Sequence, residues 1–238
     1  MPANGRLIVA VDTPGLDAAQ VLLRELKGLV NFYKIGLEFF TAHGWKAVEL
    51  VRKTGAGIFL DLKLHDIPNT VAKTAAVIAE HEIEMFNVHA LGGVEMMKAA
   101  REAVHERMKS GKKKPMILGV TILTSHQEND LGHVGIAKPL AEEVLLLARN
   151  AKEAGLDGVV SSPQEITLLR REMPRDFVIV TPGVRPAGAQ KDDQKRTLTA
   201  QAALRDGADY LVIGRPITSA AKPREAALSL LGEINSFS

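Results

Sequence analysis

With 238 residues, 46% of them hydrophobic, the chain can bury a sizeable core, and its length suits one α/β barrel domain over residues 1–238. The net charge of +2, from 30 basic and 28 acidic residues, gives no reason to expect a nucleic-acid partner. Without cysteine there are neither disulfides nor thiolate metal sites, and without a long apolar run or a signal-peptide core near Met1 a soluble, cytoplasmic protein is expected.

The apolar run Arg6 to Val11 predicts a first strand, ending at Asp12-Thr13-Pro14-Gly15. Asp17 is expected to cap the helix that follows, with apolar positions at 18, 21, 22, 26 and 29. Phe32 to Gly36 predicts the second strand, and a helix containing Trp45, Val48 and Val51 is expected to run on to Gly55. The third strand, Ile58 to Leu64, sets apolar residues 58, 60, 62 and 64 on one face and Asp61 and Lys63 on the other. Two residues on, a strand has advanced roughly 6 to 7 Å with the side chain pointing the same way, so a carboxylate and an ammonium project together. Pro68 stops the strand and suits the first turn of a helix over about 69–81.

Met85 to His89 is a fourth strand with a helix from Gly93 to Met108, and Pro115 to Leu123 a fifth with a helix over 141–154. Gly158 to Ser161 is a sixth with a helix after Pro163. Phe177 to Thr181 is a seventh, followed by a long polar loop and a helix over 197–206. Tyr210 to Ile213 is an eighth, with a last helix over 223–235. Strict alternation of eight strands and helices implies parallel strands with right-handed crossovers, the pattern of a single (β/α)8 TIM barrel. The rival, an open doubly wound sheet, generally uses fewer strands, and no G-x-G-x-x-G follows the first strand.

Such a barrel carries its site at the C-terminal ends of the strands. The polar residues expected there are Asp12, Lys34, Asp61, Lys63, His89, Thr121, Thr124, Ser161, Ser162, Thr181, Arg185 and Arg215. Alone, Asp61 and Lys63 would pass for a surface ion pair; within a rim of charges that is costly to bury, they read as a site. Gly214 and Arg215 after the eighth strand suit close approach to a phosphate, with a short helix aiming N–H groups at the same place. The 183–194 loop has the composition of a lid. His65, His81 and His89 lack metal-ligand spacing and no H-E-x-x-H occurs, so no metal is expected.

Val-Asp at 11–12, Tyr-Lys-Ile-Gly at 33–36, Asp-Leu-Lys-Leu-His-Asp-Ile-Pro-Asn-Thr at 61–70, Val-Thr-Ile-Leu-Thr-Ser at 120–125, Thr-Pro-Gly-Val-Arg at 181–185 and Gly-Arg-Pro-Ile-Thr at 214–218 span the chain. Together they resemble the bacterial type of the orotidine 5′-phosphate decarboxylase family. The Asp-x-Lys-x-x-Asp core alone is shared with sugar-phosphate lyases on related barrels; its continuation into Ile-Pro-Asn-Thr is the specific part. The resemblance implies decarboxylation of orotidine 5′-monophosphate to UMP in de novo pyrimidine synthesis, without metal or organic cofactor. Lys63 would donate the proton, with Asp61 and Asp66 fixing its position. Asp12 and Lys34 would hold ribose hydroxyls and complete the array, and Thr124 would meet the pyrimidine edge. Arg185, Gln194, Gly214 and Arg215 would grip the phosphate. In a homodimer, Asp66 and Thr70 would reach into the neighbouring chain's site, and Ile67 between them counts among the substrate-binding residues. The alternatives are a Mg2+-dependent sugar-phosphate decarboxylase or aldolase, and a phosphometabolite-binding barrel without activity.

Overall fold

The computed structural model describes residues 3–13, 15–108, 113–184, 196 and 198–236. Eight parallel strands close into one barrel in chain order: β1 (Leu7–Ala10), β2 (Phe32–Gly36), β3 (Gly57–Leu64), β4 (Met85–His89), β5 (Met116–Val120), β6 (Gly158–Val160), β7 (Val178–Thr181) and β8 (Tyr210–Ile213). Pairing of Leu7 with Leu211 and Val9 with Ile213 seals β1 to β8, so the sheet has no open edge. Both faces are buried, which is why the strands read as apolar runs. Ile8, Ala10, Phe59, Met85, Leu118, Val160, Val180 and Val212 fill the lumen, while their strand neighbours pack outward against the helices.

The N-terminal end of the barrel is closed by a repeated device. Glu84, Asp157 and Asp209 each stand one residue before an even-numbered strand. Their carboxylates accept the backbone N–H of Ile58, Ile117 and Ile179 on the preceding strand, at 2.8, 2.7 and 2.7 Å. Arg170 adds bonds to the Asp209 carboxylate and to the carbonyls of Gly207 and Phe177. These groups satisfy strand ends that the sheet leaves unpaired, so this face serves stability and leaves the other for chemistry.

Four local expectations differ from the fold. The first helix, Leu16–Leu26, has Gly15 at its N-cap and no side-chain cap; Asp17 lies inside the first turn, where its charge still suits the helix dipole. The region after β2 is two helices, Leu37–His43 and Trp45–Arg52, broken at Gly44, whose φ of 54° disfavours any other residue. Strand β5 ends at Val120 rather than Leu123, and a short helix, Glu128–Leu131, stands in the connection beyond it. In β3 the two-residue alternation fails near its end: the β3–β4 register slips between Leu60 and Leu64, and Lys63 has φ 51°.

Candidate active site

The charged residues at the strand ends form an alternating chain. Asp12 Oδ1 is 3.5 Å from Lys34 Nζ, Lys34 Nζ is 3.2 Å from Asp61 Oδ2, and Asp61 Oδ1 is 2.7 Å from Lys63 Nζ. Each charge thus faces the opposite sign, which offsets the desolvation that would otherwise expel them. Burial pushes the Lys34 ammonium down, but the carboxylates of Asp61 and Asp12 together outweigh it and leave it above the ordinary lysine value. Burial pushes Asp61 up; Lys34 and Lys63, with hydrogen bonds from Lys63 and Asn87, prevail and hold it at about 2. Asp61 is therefore an anion at neutral pH.

Gly36 permits this approach, because a Cβ there would stand 2.8 Å from Lys34 Nζ and 2.9 Å from Asp12 Oδ1. On the other side, Asn87 projects from β4 at full burial. Its Nδ2 donates to Asp61 Oδ1 at 2.7 Å and its Oδ1 accepts from the Lys63 backbone N–H at 2.8 Å. One neutral side chain therefore fixes both the carboxylate and the backbone of the lysine, at the point where Lys63 enters the left-handed region. Asn87 was missing from the sequence-based set. Its available signal was a lone amide inside the apolar run Met-Phe-Asn-Val-His.

Asp12, Lys34, Asp61 and Lys63 line one cavity of about 640 Å3, floored by Phe59. Thr124 and Ser125 line its wall beyond β5, Ser161 its wall at β6, and Gly214 and Arg215 its rim after β8. The structure thus brings together seven of the residues to which the resemblance gave a role, Asp12, Lys34, Asp61, Lys63, Thr124, Gly214 and Arg215, with Ser161 from the wider rim set. Leu37 and Glu38, which the sequence did not single out, complete the mouth.

Asp66, Ile67 and Thr70 do not line the cavity; they are exposed beyond the end of β3. Asp66 Oδ1 accepts the N–H of Ile67 at 2.7 Å, and Ile67 is 66% exposed. Arg185 and Gln194 lie outside the described residues. The short helix Arg215–Thr218 contributes less than expected: the amides of Ile217 and Thr218 are bonded to Gly214 O, and Pro216 has none.

Of the other rim polar groups, Ser162 caps the turn Pro163–Glu165. His89 accepts from Leu91 N and stacks on His65 at 5.4 Å. Burial, with His65, Lys63 and His126 nearby, pushes His89 down to about 4, so it is neutral at neutral pH. Among the described residues, no three His, Asp or Glu side chains are grouped to hold a metal ion, and no helix is long and apolar enough to cross a membrane.

The architecture and the charge chain define a (β/α)8 protein with an acid–base site at the strand C-termini and Arg215 on its rim. The family model described as Orotidine 5′-phosphate decarboxylase / HUMPS family matches residues 5–230. The chain is 48% identical to the orotidine 5′-phosphate decarboxylase of Moorella thermoacetica over 236 residues, covering 98% of this chain and 94% of that one. It is 49% identical to the protein of the same name from Pelobacter propionicus, covering 98% and 96%. The crystal structure of orotidine 5′-phosphate decarboxylase from Lactobacillus acidophilus superposes with a TM-score of 0.84 at 38% identity, covering 96% of this chain and 98% of that one. The chain belongs to the orotidine 5′-phosphate decarboxylase / HUMPS family.

Proposed function

We propose that this protein decarboxylates orotidine 5′-monophosphate to UMP, in pyrimidine synthesis, with Lys63 as the proton donor. The observation that carries the reading is one cavity with the Asp12–Lys34–Asp61–Lys63 chain on one side and Gly214–Arg215 on its rim. When the bond from pyrimidine C6 to the carboxylate breaks, its electron pair stays on C6, where no adjacent carbonyl can take it up as an enolate. The Lys63 ammonium stabilises that carbanion and transfers a proton to it, leaving CO2 and UMP. Asp61 holds Lys63 at 2.7 Å and is anionic; in this reading it lies against the substrate carboxylate. Two such charges about 4 Å apart repel by roughly 4 kcal/mol at an effective dielectric of about 20, a strain that departure of CO2 relieves.

Asp12 and Lys34 hold the ribose hydroxyls, Thr124 meets the pyrimidine edge, and Arg215, with Gly214, Arg185 and Gln194, takes the phosphate. The chemistry requires neither metal nor organic cofactor, and a charged nucleotide substrate suits a cytoplasmic enzyme.

The protein acts as a homodimer in which Asp66, Ile67 and Thr70 serve the partner's site. Their exposure outside their own cavity supports this, as do exposed apolar side chains on the same stretch of chain: Ile67 at 66% exposure and, further along the helix Pro68–Glu80, Val77 at 45%. The decisive assay follows orotidylate loss by ultraviolet absorbance in the presence of a chelator. Sustained turnover is expected. Activity that returns only with Mg2+, or no turnover of the pyrimidine nucleotide, overturns the reading.

A further inference from the structure

Arg196 is only 5% exposed, yet the decarboxylation chemistry assigns it nothing. Its Nη1 donates to Glu165 Oε1 at 2.5 Å, and both side chains are 6% exposed. Its Nη2 donates to the carbonyls of Ile122, at 3.3 Å, and Leu123, at 3.0 Å. Strand β5 has ended at Val120, so at these residues the chain has left the sheet ladder that pairs carbonyls elsewhere, and Leu123 O accepts in addition the turn N–H of His126 at 3.0 Å. The next two residues, Thr124 and Ser125, line the cavity. Glu165 is itself reached by Ser161 Oγ at 3.5 Å, and Ser161, also a lining residue, accepts from Thr121 Oγ1 at 3.2 Å.

A buried ion pair is a poor device for stability, since apolar residues of similar volume frequently do as well. A guanidinium fork that meets a carboxylate and two consecutive carbonyls, by contrast, is well suited to fixing the path of a backbone.

We propose that Arg196 is a positioning residue: by holding the Ile122 and Leu123 carbonyls against the Glu165–Ser161 pair, it sets where Thr124 and Ser125 meet the substrate's heterocycle. The inference rests on the decarboxylase reading for the identity of that heterocycle, but not for the wall itself. Arg196→Lys keeps a cation for Glu165 and loses the fork, so it separates charge neutralisation from positioning.

Two measurements test this. In Arg196→Lys, amide hydrogen exchange at residues 121–126 should accelerate about tenfold or more beyond any rise at amides elsewhere in the barrel, because the bonds lost are local to that segment. In steady-state kinetics with orotidylate, Arg196→Lys should lower kcat/KM by roughly 10- to 100-fold. Combining it with Thr124→Ala should then give a loss no greater than the larger single effect, because both act through one contact.

Unchanged exchange at 121–126 overturns the proposal, and so do fold losses that simply multiply in the double variant. Failure of the wild-type protein to turn over orotidylate would instead strike the decarboxylase reading, and the exchange result would then decide the role of Arg196 by itself.

Discussion

Replacing Asn87 by alanine removes two bonds that meet at one side chain. The bond from Asn87 Nδ2 to the ionised Asp61 contributes about 2 kcal/mol, and the bond from Lys63 N–H to Asn87 Oδ1 about 1 kcal/mol. Their loss, near 3 kcal/mol in all, should lower Tm by roughly 10 °C for a chain of this size. The kinetic consequence is larger than that figure suggests. Lys63 has φ 51°, a conformation that costs a non-glycine residue on the order of 1 kcal/mol and persists only when its surroundings enforce it.

With its acceptor gone, the backbone at residue 63 is free to return toward an extended conformation, and that swings the ammonium away from the carbanion. Displacement by about 1 Å suffices to cost on the order of 100-fold in rate. Steady-state kinetics of Asn87→Ala should show that loss in kcat with KM nearly constant, because Thr124, Gly214 and Arg215 are untouched. Asn87→Asp keeps the acceptor for Lys63 N–H but sets a second carboxylate against Asp61, so it divides the two contributions. A kcat within a factor of about three of wild type, beside the expected fall in Tm, would refute the idea that Asn87 aims Lys63.

If Lys63 is the proton donor as proposed, Lys63→Ala should cost several orders of magnitude in kcat while nucleotide binding, read by calorimetry with UMP, falls much less. Arg215→Met should impair kcat/KM strongly for orotidylate yet leave a substrate lacking phosphate almost unaffected; equal harm to both would remove the phosphate role. Asp61 has its carboxyl lowered from 3.8 to about 2 in the folded protein, so the stability it contributes is complete above about pH 4 and is lost as pH falls toward 2. That contribution is about 2 kcal/mol, and thermal melts across this range should show a flatter acid limb in Asp61→Asn than in wild type.

The eight strands were legible because a parallel barrel buries both faces of each one, and helices of ordinary amphipathic period separate them. Met85–His89 and Tyr210–Ile213 fall where the apolar runs put them. Ends were harder. Ile122 and Leu123 are apolar because they wall a cavity, and hydrophobicity does not distinguish a wall from a strand, so β5 read three residues too far at its C-terminal end. The slip in β3 was invisible for a different reason: it depends on an amide supplied by β4, a contact between residues 24 apart in sequence. The charged array itself was legible, since charges of both signs at neighbouring strand ends have few structural uses. The substrate came from resemblance; nothing in the spacing of Asp61 and Lys63 names a pyrimidine.

The proposed sharing of sites between chains offers the sharpest remaining test. Asp66 follows β3 on a segment leaving the barrel mouth, is exposed, and has its Oδ1 turned to the Ile67 amide rather than to the array. In a twofold dimer such a residue serves the partner reciprocally. Lys63→Ala and Asp66→Ala should each be inactive alone. When the two are mixed under conditions of subunit exchange, about half the dimers become mixed pairs, by random assortment. In each mixed pair one site collects both defects and the other combines native Lys63 with native Asp66. About a quarter of all sites are then native, so activity should climb toward roughly 25% of the wild-type value. If Asp66 acts within its own chain, every site retains one defect and nothing returns. Exchange verified by mass spectrometry of the mixed dimers, without recovered activity, would therefore remove Asp66 from the partner's site while leaving the chemistry assigned to Lys63 intact.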